Sequence, residues 1–441
     1  MEDKTLLKKR IDWFCRNKIN AFSPTISPAP KSVERNEIES LYEGLLWFVR
    51  NGIHEVVIEK KYMGSYCDIY LHKHLEESYL VSRNGYKITY LDREKWLAAL
   101  RPLHARLSWE GVTLRIIQSE LMPWSVLGKG LINNEFAAYY ISHEIHANYL
   151  EQSSLYDKLH KIQQTPEYQA FVLDAKVLSD KELKEKYPNH IIRQYQSVRD
   201  FKFLDLPHYQ QQIALFKRQL DIFGKEAELF FKPFNILKEV HSDGTEYFVN
   251  DNLSFRQVND DECLHYLFTD EADFQAKYPE IRAWVDKVNQ SDEEGVVIKP
   301  RTAFLPSMPP AFKVRNNDYL TLVYGVDFQD RLQEQIAKRN IKGKLRCSIN
   351  DWAINAKLLA IPYSELHEEN YELKNLVLDR ILGEEIENQL DSRLRVPKII
   401  PITFLNSLFW WEHQGQVNLP SHATLSVPRT IGYGSIVMIS A

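Results

Sequence analysis

At 441 residues, with 44% hydrophobic and 26% charged side chains, the chain has the composition of an ordinary folded protein of two or three domains. Its 55 lysines and arginines against 60 aspartates and glutamates leave a net charge of −5. That excludes bulk attraction to nucleic acid, which would need a locally basic cleft. The longest apolar run, Ile399 to Trp411, is broken by Pro401 and Asn406 and is too short to span a bilayer, so no membrane association is predicted.

The four cysteines (Cys15, Cys67, Cys263, Cys347) are far apart and form no Cys-x-x-Cys pair. This argues against a zinc cage and a disulfide framework. With an N-terminus that lacks a signal-peptide core, it predicts a cytoplasmic protein.

Leu6 to Asn20 reads as a helix, and Ser23-Pro-Thr-Ile-Ser-Pro-Ala-Pro30 as a proline-punctuated linker. From Ser32, apolar residues Ile38, Leu41, Leu45, Leu46 and Val49 recur at helical spacing, with Gly52 as a C-terminal cap. Short strands are predicted at His54–Glu59, Cys67–Leu71, Tyr79–Ser82 and Tyr86–Leu91, the last two joined by an Asn84-Gly85 hairpin turn. A helix over Arg93–Leu107 and a strand over Val112–Leu121 follow. Ala137–Gln164 and Asp180–Lys186 read as helical and Gln194–Gln219 as mixed. Strand signals return at Glu228–Leu237, Gly295–Lys299, Ala311–Val314 and Tyr319–Val323, before a charged helical stretch from Phe328 to Leu394. This alternation predicts an α+β fold.

The expected organisation is an N-terminal helical segment and linker (1–32) and a main domain (33–327) with a helical insert at about 131–200. A helical C-terminal module (328–394) and a tail (395–441) complete it, and the tail carries no functional reading.

The most informative stretch is Val57-Ile-Glu-Lys-Lys-Tyr-Met-Gly-Ser65, a strand that delivers Lys61 into a turn closing on Gly64 and Ser65. A lysine is a nucleophile only as the free amine. With an ordinary pKa of about 10.4 it needs burial or neighbouring positive charge to become one. Further stretches supply partners. Arg83 lies beside the Asn84-Gly85 turn, where its fork can reach a phosphate, and Glu120 ends a strand, able to accept from sugar hydroxyls. Glu294 precedes a Gly-Val-Val-Ile strand ending at Lys299, and could hold a divalent cation directly or through water. In Phe312-Lys-Val-Arg315, Lys313 and Arg315 share one strand face, a placement that suits a bound polyanion such as a triphosphate.

Lys61-Tyr62-Met63-Gly64 fits the Lys-x-x-Gly pattern of covalent nucleotidyltransferases, and the whole ordered set of stretches resembles their ligase branch. The resemblance is closer to one family, the ligase module of the bacterial polynucleotide kinase–phosphatase–ligase RNA-repair system. It is carried by Lys61-Tyr-Met-Gly-Ser65, Glu120-Leu-Met-Pro-Trp-Ser125, Pro233-Phe-Asn-Ile-Leu237, Glu294-Gly-Val-Val-Ile-Lys-Pro300, Lys313-Val-Arg and Tyr319-Leu-Thr-Leu-Val-Tyr-Gly325. It covers about Val33 to Leu394.

The resemblance implies an adenylation domain of packed antiparallel sheets with flanking helices, an all-helical C-terminal module and no OB domain. It implies an ATP-dependent RNA ligase that forms lysyl-AMP at Lys61, passes AMP to an RNA 5′-phosphate and seals it to a 3′-OH. Lys299 and Lys313 would lower the Lys61 pKa and, with Mg2+ or Mn2+ on Glu294, offset charge on the phosphate. Arg83, Glu120, Phe234, Lys299, Lys313 and Arg315 would hold the nucleotide, with Phe234 stacking on adenine. The family resemblance implies two partners, a kinase–phosphatase and an RNA 3′-terminal 2′-O-methyltransferase; the former is expected as a separate subunit, since no Gly-x-x-x-x-Gly-Lys-Ser/Thr occurs here. The helical module would dock a partner or guide RNA, leaving the isolated chain weak at sealing.

One departure stands out, because Tyr66 occupies a position where related ligases usually carry a nucleotide-contacting arginine. The competing readings are a DNA ligase, a capping guanylyltransferase or a non-catalytic interaction subunit of the same fold. Ser142-His-Glu-Ile-His146 also suggests a metallohydrolase, but its histidines are three apart where the zinc-protease pattern needs four; a solvated or capping pair is expected.

Overall fold

The computed structural model describes residues 4–255 and 261–383. The described residues form two compact units, one built from 4–151 and 204–383 and the other containing 152–203.

Among the described residues the larger unit carries ten strands: β1 (Ser27–Pro28), β2 (Glu55–Lys61), β3 (Ser65–His72), β4 (Tyr79–Ser82), β5 (Val112–Met122), β6 (Phe230–His241), β7 (Glu246–Phe248), β8 (Cys263–Leu267), β9 (Gly295–Pro300) and β10 (Phe312–Arg315). They form two five-stranded sheets, ordered β1-β10-β9-β2-β8 and β4-β3-β5-β6-β7. All pairs are antiparallel except β1 with β10. Helices α1 (Lys4–Arg16), α2 (Leu41–Arg50) and α3 (Arg93–Arg106) precede the insert, the last as anticipated.

Strand alternation explains how each sheet serves two masters. In the first sheet Val56, Ile58, Val296, Ile298, Phe312 and Val314 face one side and form a core with Phe48 and Phe274. The register sets Val57 opposite Lys299, Lys61 opposite Gly295 and Lys313 opposite Val297, so Glu59, Lys61, Lys299, Lys313 and Arg315 all leave the other face. In the second sheet Cys67, Ile69, Leu71, Ile117 and Leu121 pack against Trp96, Leu100 and Leu103 of α3. Tyr66, Asp68, Gln118 and Glu120 face the opposite way.

Gly295 is demanded by this pairing. Its φ is +139°, and a Cβ there would lie 2.2 Å from the Val314 carbonyl oxygen of the neighbouring strand. Gly295→Ala is therefore expected to cost about 2 kcal/mol or more, read as a lowered urea midpoint with an unchanged slope.

Two expected strands are absent. Tyr86–Leu91 is not a full strand: the chain turns at Gly85 as a hairpin, with Ser82 N–H donating to the Tyr86 carbonyl and Ile88 N–H to the Leu80 carbonyl, but its pairing with β4 goes no further than the bridge of Val81 with Lys87. Tyr319–Val323 lies within a helix, Asn317–Tyr324, started by Asn316, whose side chain accepts from the Asp318 amide. The early helix begins at Leu41 rather than near Ser32, since Ser40 is its N-cap.

The expected 131–200 insert divides. Helices α4 (Ser125–Leu131) and α5 (Ala137–Gln152) run on through Ile132–Phe136; Ile132, Phe136, Tyr139 and Ala147 share a core with Phe216 and Leu320. Helices α6 (Leu155–Gln163), α7 (Pro166–Val177), α8 (Asp180–Lys186) and α9 (Asn189–Asp200) make the smaller unit, with Tyr168, Phe171 and Tyr195 at its centre.

Back in the larger unit come α10 (Leu206–Phe223), α11 (Glu271–Gln290), α12 (Asn317–Tyr324), α13 (Leu332–Lys338), α14 (Lys342–Ala360) and α15 (Tyr371–Leu382). Among the described residues after Arg315 no strand occurs. The end of the expected 328–394 module and the tail 395–441 lie outside the described residues.

The segment read as a linker is instead a buried strap. Phe22 N–H donates to Asn355 Oδ1 (3.1 Å), Thr25 N–H to Asp351 Oδ2 (2.9 Å), and Arg380 donates to the Ser23 carbonyl (2.9 Å). These bonds tie residues 22–25 to α14 and α15, and β1 then pairs alongside Lys313. Phe14, Phe22, Trp352, Leu358 and Val377 share one core, which joins α1 to the C-terminal helices.

Candidate active site

The two polar sheet faces line a cavity of about 540 Å³. Lys61, Arg83, Glu120, Phe234, Glu294, Lys299 and Lys313 all reach it. The strap contributes Ser23, Pro24 and Ile26, and α14 contributes Trp352.

Lys61 ends β2, and its Nζ lies 2.7 Å from Glu294 Oε2. Glu294 is buried immediately before β9 and also accepts from the Tyr319 hydroxyl, so α12 braces this carboxylate. Lys299 is buried and ion-paired with Glu59, its ammonium 4.5 Å from the centre of the Phe234 ring. Phe234 occupies a β-bulge: Ser119 pairs with Pro233 and Gln118 with Asn235, leaving Phe234 as the extra residue.

Burial, then the charge of Arg315, pushes the Lys313 ammonium well below the usual lysine range; Lys61 pushes the same way, while Glu39 and Glu294 oppose them. Arg315 is the one candidate outside the cavity lining. Its guanidinium is taken up by Glu39 (Nη2 to Oε1, 2.5 Å), so the anion that the paired-cation strand called for is, at this arginine, a carboxylate of the chain itself.

Glu120 lies near the end of β5 and accepts from the Gly64 amide. A Cβ on Gly64 would lie 2.6 Å from Glu120 Cγ, so the turn after Lys61 must be glycine to come this close. Burial pushes the Glu120 carboxyl up to about 7; Glu294 adds to the rise while Lys61 and Arg83 oppose it. A carboxyl raised above its unfolded value supports the fold at low pH, and this support is lost as pH rises through about 7. Glu120→Gln should therefore raise stability at about pH 8 by on the order of 1–3 kcal/mol and change it little at about pH 4, checked by urea unfolding at both.

Tyr66 lines the cavity, but its hydroxyl donates to Asp68 Oδ1 (2.6 Å) and accepts from Gln118 Nε2 (2.8 Å). The pair His143 and His146 meets the Tyr209 hydroxyl at 2.6 and 3.3 Å. Among the described residues no cluster of three or more His, Cys, Asp or Glu could hold a metal, so nothing there supports a zinc hydrolase.

Sequence reasoning passed over Glu59, Gln118, Asn252 and Tyr319, all of which line the cavity. Glu59 and Gln118 lie two residues before Lys61 and Glu120, so strand alternation alone could have found them. Tyr319 was hidden by the strand reading, and Asn252 sits in a loop with no signal.

A lysine paired with a carboxylate, flanked by two further lysines in a cavity floored by an aromatic ring, can hold a polyanion and present an amine to it. Residues 16–368 match the family described as the PNKP adenylyltransferase domain, ligase domain. The chain belongs to this family of adenylyltransferases. It is similar to a chain of a solved Pnkp1/Rnl/Hen1 complex, at 84% identity and a TM-score of 0.85, over 89% of this chain and 100% of that one. A chain of a solved Pnkp1/Rnl/Hen1 RNA repair complex is similar at 85% identity and a TM-score of 0.80, with the same coverage. Curated proteins show no match. No helix among the described residues is long and apolar enough to cross a membrane.

Proposed function

We propose that the chain is an ATP-dependent RNA ligase, the sealing subunit of an RNA-repair assembly with Pnkp1 and Hen1. The observation that carries this is the convergence of Lys61, Lys299 and Lys313 on one sheet face, with Glu294 beside them at the same cavity. High identity to chains of the Pnkp1/Rnl/Hen1 complexes supports the choice of RNA over DNA and of these partners.

In this reading Lys61 Nζ attacks the α-phosphorus of ATP. A nitrogen–phosphorus bond forms, the bond to the bridging oxygen breaks, and pyrophosphate leaves. Lys299, Lys313 and Arg83 balance the phosphate charge, Phe234 stacks on adenine and Glu120 receives ribose hydroxyls. AMP then passes to an RNA 5′-phosphate, and a 3′-OH displaces it to seal the strand.

Glu294 offers a hard oxygen donor at the cavity, which fits Mg2+ or Mn2+ completed by phosphate oxygens better than an all-protein cage. Such a cation, when bound, supplies Lewis-acid stabilisation of the phosphate. A separate kinase–phosphatase prepares the ends, and a 2′-O-methyltransferase acts on the RNA 3′ terminus.

The test is sealing of a nicked RNA bearing 5′-phosphate and 3′-OH ends, with ATP and Mg2+, by the chain with and without Pnkp1 and Hen1. Sealing of RNA but not of the matched DNA, and weakly by the chain alone, is expected. Preference for DNA, or use of GTP in place of ATP, would contradict the reading, and full-rate sealing by the chain alone would remove the role given to the helical module.

A further inference from the structure

Along the cavity wall runs a hydrogen-bond relay whose polarity is set at one end. The Pro300 carbonyl can only accept, and Asn252 Nδ2 donates to it (2.7 Å). Asn252 Oδ1 is thereby turned to Asn235, whose Nδ2 donates to it (3.1 Å) and to Gln118 Oε1 (3.3 Å). Ser254 Oγ donates to Asn235 Oδ1 (3.0 Å), which holds that amide the same way round. Gln118 must then offer its amino group to Tyr66, and does so at 2.8 Å. The Tyr66 proton has one acceptor left, Asp68 Oδ1 at 2.6 Å.

Asp68 is fully buried on β3, and its Oδ2 has no hydrogen-bond partner among the described residues. Leaving such an oxygen without a donor is costly unless the group has a task. Burial pushes this carboxyl up to about 7. In either charge state Oδ1 still accepts from Tyr66, since a neutral carboxyl can keep its proton on Oδ2.

The outcome is a tyrosine oxygen that cannot donate into the cavity. It lies directly opposite Glu120 on the neighbouring strand, and both residues line the same wall. Side chains paired this way start about 5 Å apart. Two adjacent acceptors repel a phosphate, which has nothing to donate, and match a group with two neighbouring O–H donors. The cations of the cavity stand on the facing sheet and at Arg83.

We propose that Asp68 is a positioning residue for nucleotide recognition: by taking the Tyr66 proton it makes the phenol oxygen a fixed acceptor, so that Tyr66 and Glu120 together receive the vicinal hydroxyls of a ribose. This rests on the reading of the cavity as an ATP site. It gives Tyr66 the opposite role to a donor-only arginine.

The experiment measures kcat/KM for covalent adduct formation with ATP and with 2′,3′-dideoxy-ATP, which lacks both hydroxyls but keeps the reacting phosphate. The full chain is compared with Tyr66→Phe, Asp68→Leu and Asp68→Asn. The ratio of ATP to dideoxy-ATP is expected to fall roughly three- to tenfold in Tyr66→Phe and Asp68→Leu, and to hold in Asp68→Asn, which keeps a carbonyl acceptor. A merely structural role would lower both nucleotides together and leave the ratio alone, and that result would overturn the proposal. Tyr66→Phe keeps the ring and carries the test if Asp68→Leu fails to fold. Absence of any adduct in the wild type would instead contradict the ATP-site reading, and this proposal with it.

Discussion

Replacing Lys61 by arginine is expected to abolish covalent labelling by ATP, by at least on the order of a thousandfold, while leaving the fold intact. Lys61 is paired at 2.7 Å with a buried carboxylate, Glu294. Arginine keeps a cation in that pair, so the unfolding midpoint should move little. A guanidinium stays protonated under all protein conditions and so cannot act as the nucleophile. Lys61→Ala should also lose the label, but at some cost in stability, because Glu294 would keep only the Tyr319 hydroxyl of the two partners seen here. Labelling is read on a denaturing gel after incubation with radiolabelled ATP, and stability by thermal unfolding of the same samples. Retained label in Lys61→Arg would move the nucleophile elsewhere.

Glu39→Ala should destabilise the larger unit by about 3–5 kcal/mol, more than Lys61→Ala. Glu39 is buried, and its carboxylate holds Arg315 on β10 and Arg339 after α13, the latter at 2.9 Å. It also accepts the Arg315 backbone N–H at 3.0 Å. Truncation leaves two guanidinium groups without this partner beneath the strand that carries Lys313. Burial pushes the Glu39 carboxyl up, but the arginines outweigh it and hold it below the usual range. A depressed carboxyl contributes stability above the unfolded value of about 4.5, lost as pH falls through its folded pKa. Acid unfolding should therefore begin at lower pH in the wild type than in Glu39→Gln, and urea midpoints at neutral pH give the size of the effect.

What could be read without coordinates depended on how local the cause was. Lys61, Glu120, Lys299 and Lys313 were legible because each sits on a strand whose alternation settles its face, and Glu294 because it directly precedes the Gly-Val-Val-Ile strand that carries Lys299. The same rule would have reached Glu59 and Gln118. Arg315 was placed on the right face, yet its partner Glu39 lies 276 residues away in sequence, and no local pattern announces it. The proline-rich segment after Asn20 read as a linker because proline ends regular structure. Its burial depends on α14 and α15, more than 300 residues later in the chain. Tyr319 was misread because Tyr319–Val323 is rich in residues that suit strands; the Asn316 cap and Asp318 in the first turn were the signals that decided for helix.

Peptide-level mass spectrometry of the chain after incubation with ATP and Mg2+ tests the chemistry most directly. A single adenylyl group is expected, on Lys61 and not on its neighbour Lys60, and it should disappear in Lys61→Arg. An unmodified chain, or an adenylyl group on Lys60, Lys299 or Lys313 instead, would contradict the assignment of Lys61 as the nucleophile.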